Sequence, residues 1–290
     1  MLGICVPLLS CLSLAQSTRS LDQLTMAEKI DRAKPFHLEH SESVEPFTII
    51  GNVHYVGAKN IASYLITTPD GHFLLDTGVR EMGDSIRSNI KKLGFEPRDI
   101  KILLSSHAHF DHVQGHEEMR KTTGAKVMAV GDDAKALQEG KDLSPLGFEG
   151  WDPVEIDTVL KHGDIVSLGA TSLTAINVPG HTQGCTVWTM NVEDNKKTFE
   201  LAFFGCSGPN NGVKITDNEK FPNLVEDTLL GYQRLKTISP DIYLNGHPHE
   251  LFETRMPAIR SGERPHPILT QQPWSEFVNE LETNFQQRIQ

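Results

Sequence analysis

The stretch Ser105-Ser106-His107-Ala108-His109-Phe110-Asp111-His112 limits this chain more than any other. Three imidazoles and a carboxylate fall within six consecutive residues, directly after the apolar run Ile102-Leu103-Leu104. That run reads as a buried strand, so the polar group stands where the strand leaves the core. In extended backbone, side chains two positions apart share a direction, and His107 and His109 therefore reach one common point. Asp111 and His112 come after the chain turns and can face a second point beside the first. Imidazole nitrogen with carboxylate oxygen suits Zn²⁺ in a catalytic setting, whereas a structural zinc site more often uses closely paired thiolates. The competing reading is a solvated histidine-rich loop, which makes this spacing an accident.

Four ligands do not complete two sites. Two more histidines follow strand-like runs through a glycine, in Val178-Pro179-Gly180-His181 and Leu244-Asn245-Gly246-His247. The resulting sorting is one site of His107, His109 and His181 and another of Asp111, His112 and His247. Each has three protein ligands and an open position, the pattern of catalytic zinc. His249 is a rival to His247. The remaining histidines have plainer readings: His37, His40 and His72 as solvated, His54 as packed, His162 in a turn, His266 as exposed, and His116, at a helix start, as exposed or as a support behind the ligands. Asp76, at the end of Leu-Leu-Asp-Thr-Gly, either supports a ligand from behind or stabilises its turn.

From residue 47 onward, short β-branched and aromatic runs alternate with turn signals. Runs 47–50, 53–56, 63–67 and 72–75 predict strands, with a helix over 81–93 and a strand over 100–104. Helical residues 115–123, a strand over 126–130 and a short helix over 132–140 follow. The second half repeats this grammar, with strands at 165–168, 173–178, 186–190, 201–204 and 242–244 and a helix over 224–237. Phe277, Leu281 and Phe285 mark a closing amphipathic helix. Strands and helices in both halves predict two sheets in face contact with helices outside.

The first 15 residues, MLGICVPLLSCLSLA, read as a removable export leader, or as a lipoprotein leader ending before Cys11. Residues 16–43 form an N-terminal segment, and 44–290 form one domain. A periplasmic location follows, without stable membrane association unless Cys11 is lipidated. Cys185 and Cys206 then remain as an even pair. They are a disulfide, two inert thiols, or, for Cys206, a soft metal ligand. A net charge of −11 leaves no basic surplus for nucleic acid, and a small-molecule substrate and a monomer are expected.

His107 to Gly115, HAHFDHVQG, resembles the HxHxDHxxG signature of the metallo-β-lactamase superfamily, and Gly180-His181-Thr182-Gln183-Gly184 resembles its GHTxG segment. The resemblance implies an αββα sandwich with a dinuclear site at one edge of the sheets. Many hydrolases of the superfamily carry a Gly-Asp after the strand following GHTxG, whose carboxylate bridges the metals; here that place reads Gly205-Cys206. PFTIIGNVHYVG, SYLITTPDGHFLLDTG and GHTQGCTVW are similar to the third, all-histidine subclass of metallo-β-lactamases, as is the strand ending in His247-Pro248. That likeness implies two Zn²⁺ ions, the ligand sorting above, and hydrolysis of the β-lactam amide of penicillins, cephalosporins and carbapenems, giving antibiotic resistance. It also implies a catalytic role for Asp111, which orients the nucleophile, and a substrate-carboxylate contact at Ser207, with Pro209 in place of a second hydroxyl. A Cys185–Cys206 disulfide fits some members. The alternative is a hydrolase of lactones, esters or thioesters, and a third reading is a binding protein with a degenerate site.

Overall fold

A computed structural model describes residues 25–144, 147, 149–248, 251–264, 266–270 and 272–290. The expected leader, with Cys5 and Cys11, and the rival ligand His249 lie outside these residues. Helix α1 (Met26–His40) comes first, and then four runs fold as an antiparallel meander: β1 (Phe47–Ile50), β2 (Val53–Tyr55), β3 (Tyr64–Thr68) and β4 (Gly71–Leu75). Helix α2 (Gly83–Lys92) returns the chain so that β5 (Ile100–Leu104) lies parallel to β4. A parallel neighbour needs such a crossover, because a tight turn can only reverse the chain. After β5 come α3 (Phe110–Val113), α4 (His116–Thr123), β6 (Lys126–Val130), α5 (Gly131–Glu139) and β7 (Thr158–Leu160), completing a seven-stranded sheet in the order β1 to β7.

The second sheet runs β12-β11-β10-β9-β8. Its strands are β8 (Ile165–Leu168), β9 (Thr171–Asn177), β10 (Thr186–Asp194), β11 (Lys197–Phe204) and β12 (Ile242–Asn245). Helix α6 (Leu224–Leu235) provides the crossover that sets β12 parallel to β11; α7 (Met256–Arg260) and α8 (Trp274–Arg288) follow. Both sheets are thus mixed.

Alternation along each strand divides the core into layers. Ile66, Phe73 and Leu104 face Trp188, Phe203 and Leu244 between the sheets. Their strand neighbours Leu65, Leu74 and Leu103 point outward onto Ile86 and Ile90 of α2, Met119 of α4 and Leu137 of α5. On the far side, Val187, Ala202 and Tyr243 meet Tyr232 of α6 and Trp274, Val278 and Phe285 of α8. The expected αββα sandwich is therefore what the chain forms.

Beyond β7 and α7, which the sequence reading lacks, three details differ from it. β10 and β11 run on to Asp194 and Lys197, because Asn195 and Lys196 take left-handed conformations (φ +50° and +64°) that close a two-residue hairpin whose twist matches the strands. In α8 the buried positions are Trp274, Val278 and Phe285, with Phe277 and Leu281 only partly covered. Helix α1 was not foreseen. A capping box between Thr25 and Glu28 starts it, and among its described side chains the buried His37 ties it to the domain, its ring stacked on Phe110 with centroids 5.5 Å apart.

Candidate metal centre

β5 ends at Leu104, and the chain that follows is fixed by Asp76. Asp76 N–H donates to the Leu104 carbonyl at 3.0 Å. The Asp76 carboxylate accepts from Ser106 N–H (2.7 Å, Oδ1), Ser106 Oγ–H (2.7 Å, Oδ2) and His112 Nδ1–H (3.0 Å, Oδ2). It is buried and sits at φ +60°, a conformation aspartate tolerates better than most residues. Asp76 thus both shapes the turn and orients a predicted ligand.

The hydrogen bonds settle which nitrogen is free in four of the imidazoles. A carbonyl or carboxylate oxygen only accepts, so the nitrogen facing it carries the proton. His112 is protonated at Nδ1 by its bond to Asp76, His181 at Nδ1 by its bond to Gly208 O (3.0 Å), and His247 at Nδ1 by its bond to Asn60 O (3.0 Å). Ser106 Oγ gives its one proton to Asp76, so its 3.0 Å contact with His107 Nδ1 is donation by the imidazole. His109 engages Ser144 Oγ through Nε2 at 2.9 Å, which leaves Nδ1. Four lone pairs are fixed in this way, on Nε2 of His107, His112, His181 and His247; the Ser144 hydroxyl can donate or accept, so at His109 the contact shows only that Nδ1 is the nitrogen turned away from it. Partners of this kind behind a metal-binding histidine fix its tautomer and raise its basicity.

These atoms converge. Donor atoms of His107, His109 and His181 lie within 4.8 Å of one another, as do those of His107, Asp111 and His112. His247 Nε2 stands 3.5 Å from Asp111 Oδ2, the same distance at which His112 Nε2 meets that oxygen. The structure therefore brings all six sequence-predicted ligands together, with His107 between the two groups and His247, 41% exposed, at the mouth. Gly180 lets His181 turn inward: its φ is +140°, and a Cβ there would lie 2.6 Å from Thr228 Oγ1.

Burial pushes His109 down to about 4, and burial with the neighbouring His109 pushes His181 to about 3. Burial, His112 and His181 likewise hold His107 well below its ordinary value. These rings are neutral at pH 7. At Asp111 burial is outweighed by His112, His247 and His109, so its carboxyl lies below the usual range. His112 is raised, because Asp111 and Asp76 outweigh burial. Its Nε2 is buried without a hydrogen-bond partner, a costly state for a polar atom and one that a cation in the cluster would relieve. Neutral imidazoles, an ionised carboxylate and this orphaned nitrogen fit a divalent metal such as zinc.

Other expected residues fall as follows. Cys185 and Cys206 pair, with Cα atoms 6.2 Å apart and their sulfurs at bonding distance, which removes Cys206 from the ligand candidates. Ser207 adjoins Gly208, whose carbonyl orients His181. His54 is packed, its ring nitrogens 2.9 Å from Thr48 Oγ1 and 3.2 Å from Thr67 Oγ1. Four solvent readings are corrected: His37, His72, His116 and His266 are buried. His116 joins Thr77 Oγ1 at 2.7 Å beneath the turn, and His37 lies between Glu81 and Glu149, each at 3.1 Å. Sequence reasoning also missed Ser144 behind His109 and Asp133 between two ligand loops.

Residues 56–194 match the model of the metallo-β-lactamase superfamily. The native FEZ-1 metallo-β-lactamase from Legionella gormanii is 34% identical and superposes with a TM-score of 0.81, over 86% of this chain and 97% of that one. The chain belongs to the metallo-β-lactamase superfamily. BJP-1, a subclass B3 metallo-β-lactamase of Bradyrhizobium japonicum, is also 34% identical, with a TM-score of 0.77 over 86% and 95% of the two chains. A hydroxyacylglutathione hydrolase of Cereibacter sphaeroides is 29% identical over 164 residues, 56% of this chain. That match spans 54% of the relative, so the chain covers about half the length of such curated relatives.

Proposed function

We propose that this protein is a zinc β-lactamase that opens the cyclic amide of penicillins, cephalosporins and carbapenems. His107, His109 and His181 would hold one ion, and Asp111, His112 and His247 the other. The observation that carries this reading is the residue after Gly205. Thioester and lactone hydrolases of the superfamily resemble one another in a bridging aspartate there, but here Cys206 is committed to Cys185. Likeness to β-lactamases over nearly the whole of their chains supports the same choice.

Two Zn²⁺ ions would supply Lewis acidity and bring a water pKa down to about 7. The chain's own residues do the rest. Asp111, kept ionised by the imidazoles around it, orients the attacking water and takes up a proton at its carboxylate. Asp76, Gly208 O and Asn60 O keep three imidazoles in the tautomer that presents Nε2. Ser207, one residue before the carbonyl behind His181, binds the substrate carboxylate. Export to the periplasm accords with the disulfide, and the enzyme acts there as a monomer, conferring antibiotic resistance.

The second reading is thioester hydrolysis, favoured by the hydroxyacylglutathione hydrolase relative. A chromogenic cephalosporin, a carbapenem and an S-acylglutathione are offered to the zinc-loaded protein, with and without chelator. Chelator-sensitive turnover of both β-lactams is expected. Cleavage of the thioester alone selects the second reading.

A further inference from the structure

We propose that Asp133 is a positioning residue that clamps the loop of His107 and His109 to the loop of His181, setting the convergence of those three imidazoles. This rests on the ligand assignment above. Asp133 lies in the first turn of α5, is buried, and makes its hydrogen bonds to residues other than the six candidate ligands. Its Oδ2 accepts from Ala108 N–H at 2.8 Å and from Thr182 Oγ1–H at 2.7 Å. Its Oδ1 accepts from Gly184 N–H at 2.8 Å.

The position of these partners gives the carboxylate its meaning. Ala108 is the residue between His107 and His109, on the chain leaving the first sheet. Thr182 and Gly184 belong to the connection between β9 and β10 of the second sheet, which carries His181. One carboxylate therefore joins two loops, from two sheets, beside the point where their three histidines meet. The fit is close: a Cβ on Gly184 would lie 2.2 Å from Val130 O and 2.5 Å from Asp133 Cβ, so only glycine lets this loop reach the start of α5.

All three partners donate, and only a group with acceptors alone satisfies them together. Asparagine has the same shape but turns N–H groups towards at least one donor. The bonded partners are two backbone N–H groups and a hydroxyl, with no cation among them. Burying an anion on neutral donors is costly compared with apolar packing, and such a group is retained where geometry matters. The α5 N-terminus offsets part of that cost.

The test is zinc affinity in wild type, Asp133→Asn and Thr182→Val, by competition with a chromogenic chelator that resolves two dissociation constants. Spectra of the cobalt-substituted proteins and melting of the metal-free proteins are recorded in parallel. In Asp133→Asn one constant should weaken by about tenfold, the low end of the range for partners bonded directly to a metal ligand, with an altered cobalt spectrum and a lower kcat. Thr182→Val keeps two of the three bonds and should show a smaller loss in the same constant; it decides the matter if Asp133→Asn does not fold. A lower melting temperature with both constants and the cobalt spectrum unchanged would make Asp133 merely structural and overturn the proposal. Wild type that binds no zinc defeats the ligand assignment instead.

Discussion

Asp76→Asn tests the tautomer logic of the site most sharply. The substitution keeps shape and removes one acceptor. Asn Oδ1 can still take the Ser106 N–H, and its Nδ2 can face Ser106 Oγ, which is able to accept. The same Nδ2 then confronts His112 Nδ1–H, a donor against a donor at what is now 3.0 Å. His112 relieves the conflict by moving its proton to Nε2, the buried nitrogen left free for a cation. Loss of an orienting partner of this kind costs tenfold to a hundredfold in metal affinity, or about 1.4–2.8 kcal/mol. The metal-free fold also loses a charge-assisted hydrogen bond, about 2 kcal/mol. Chelator competition should show the constant of the Asp111–His112–His247 ion weakening by that factor, with the other moving much less. If a folded Asp76→Asn protein retains both constants, the tautomer assignment is wrong.

Other outcomes follow from single contacts. His181→Ala, assayed metal-replete, should lower turnover on the order of a hundredfold or more, since it removes a ligand rather than its support; near-normal turnover defeats the site assignment. His37 has a carboxylate on each nitrogen, and Glu149 and Glu81 outweigh burial to raise it above 6.5. Its contribution to stability is therefore complete below 6.5 and disappears as pH rises through the raised value. Proteolysis within α1 should accelerate over that rise in wild type but not in His37→Gln, and a flat profile in wild type refutes the role of His37 in tying α1 down. Cys185 and Cys206 are 21 residues apart, so reduction should cost about 3 kcal/mol, seen as a lower Tm. Trp188→Ala empties a fully buried position between the sheets and strands the Ser105 carbonyl, at a cost of about 3–5 kcal/mol by denaturant titration.

The six candidate ligands were legible because their signal is local: a two-residue period at a strand end, and a glycine before an isolated histidine. Of the residues that orient them, Asp76 was read as a support or a turn residue but without its partners, and Asp133 and Ser144 were not read at all. Asp76 reaches Ser106 and His112 across 30 and 36 positions, and Asp133 reaches Thr182 across 49. No short-range pattern marks an aspartate as the partner of so distant a donor. The strands were read well where both faces are apolar, as in Phe73-Leu74-Leu75, and short where an exposed hairpin continues in polar residues, as in Asn191 to Lys197. Helix α1 was missed for a similar reason. Its sequence is polar on average, and among its described side chains the one that ties it down is a buried histidine between two carboxylates from elsewhere in the chain.

The most direct test of the central claim is anomalous diffraction at the zinc edge from crystals of the zinc-loaded protein. Two peaks are expected, one bonded to His107 Nε2, His109 Nδ1 and His181 Nε2, the other to Asp111, His112 Nε2 and His247 Nε2. No peak in the cluster, or zinc held through Nδ1 of His112 or His181, would contradict it.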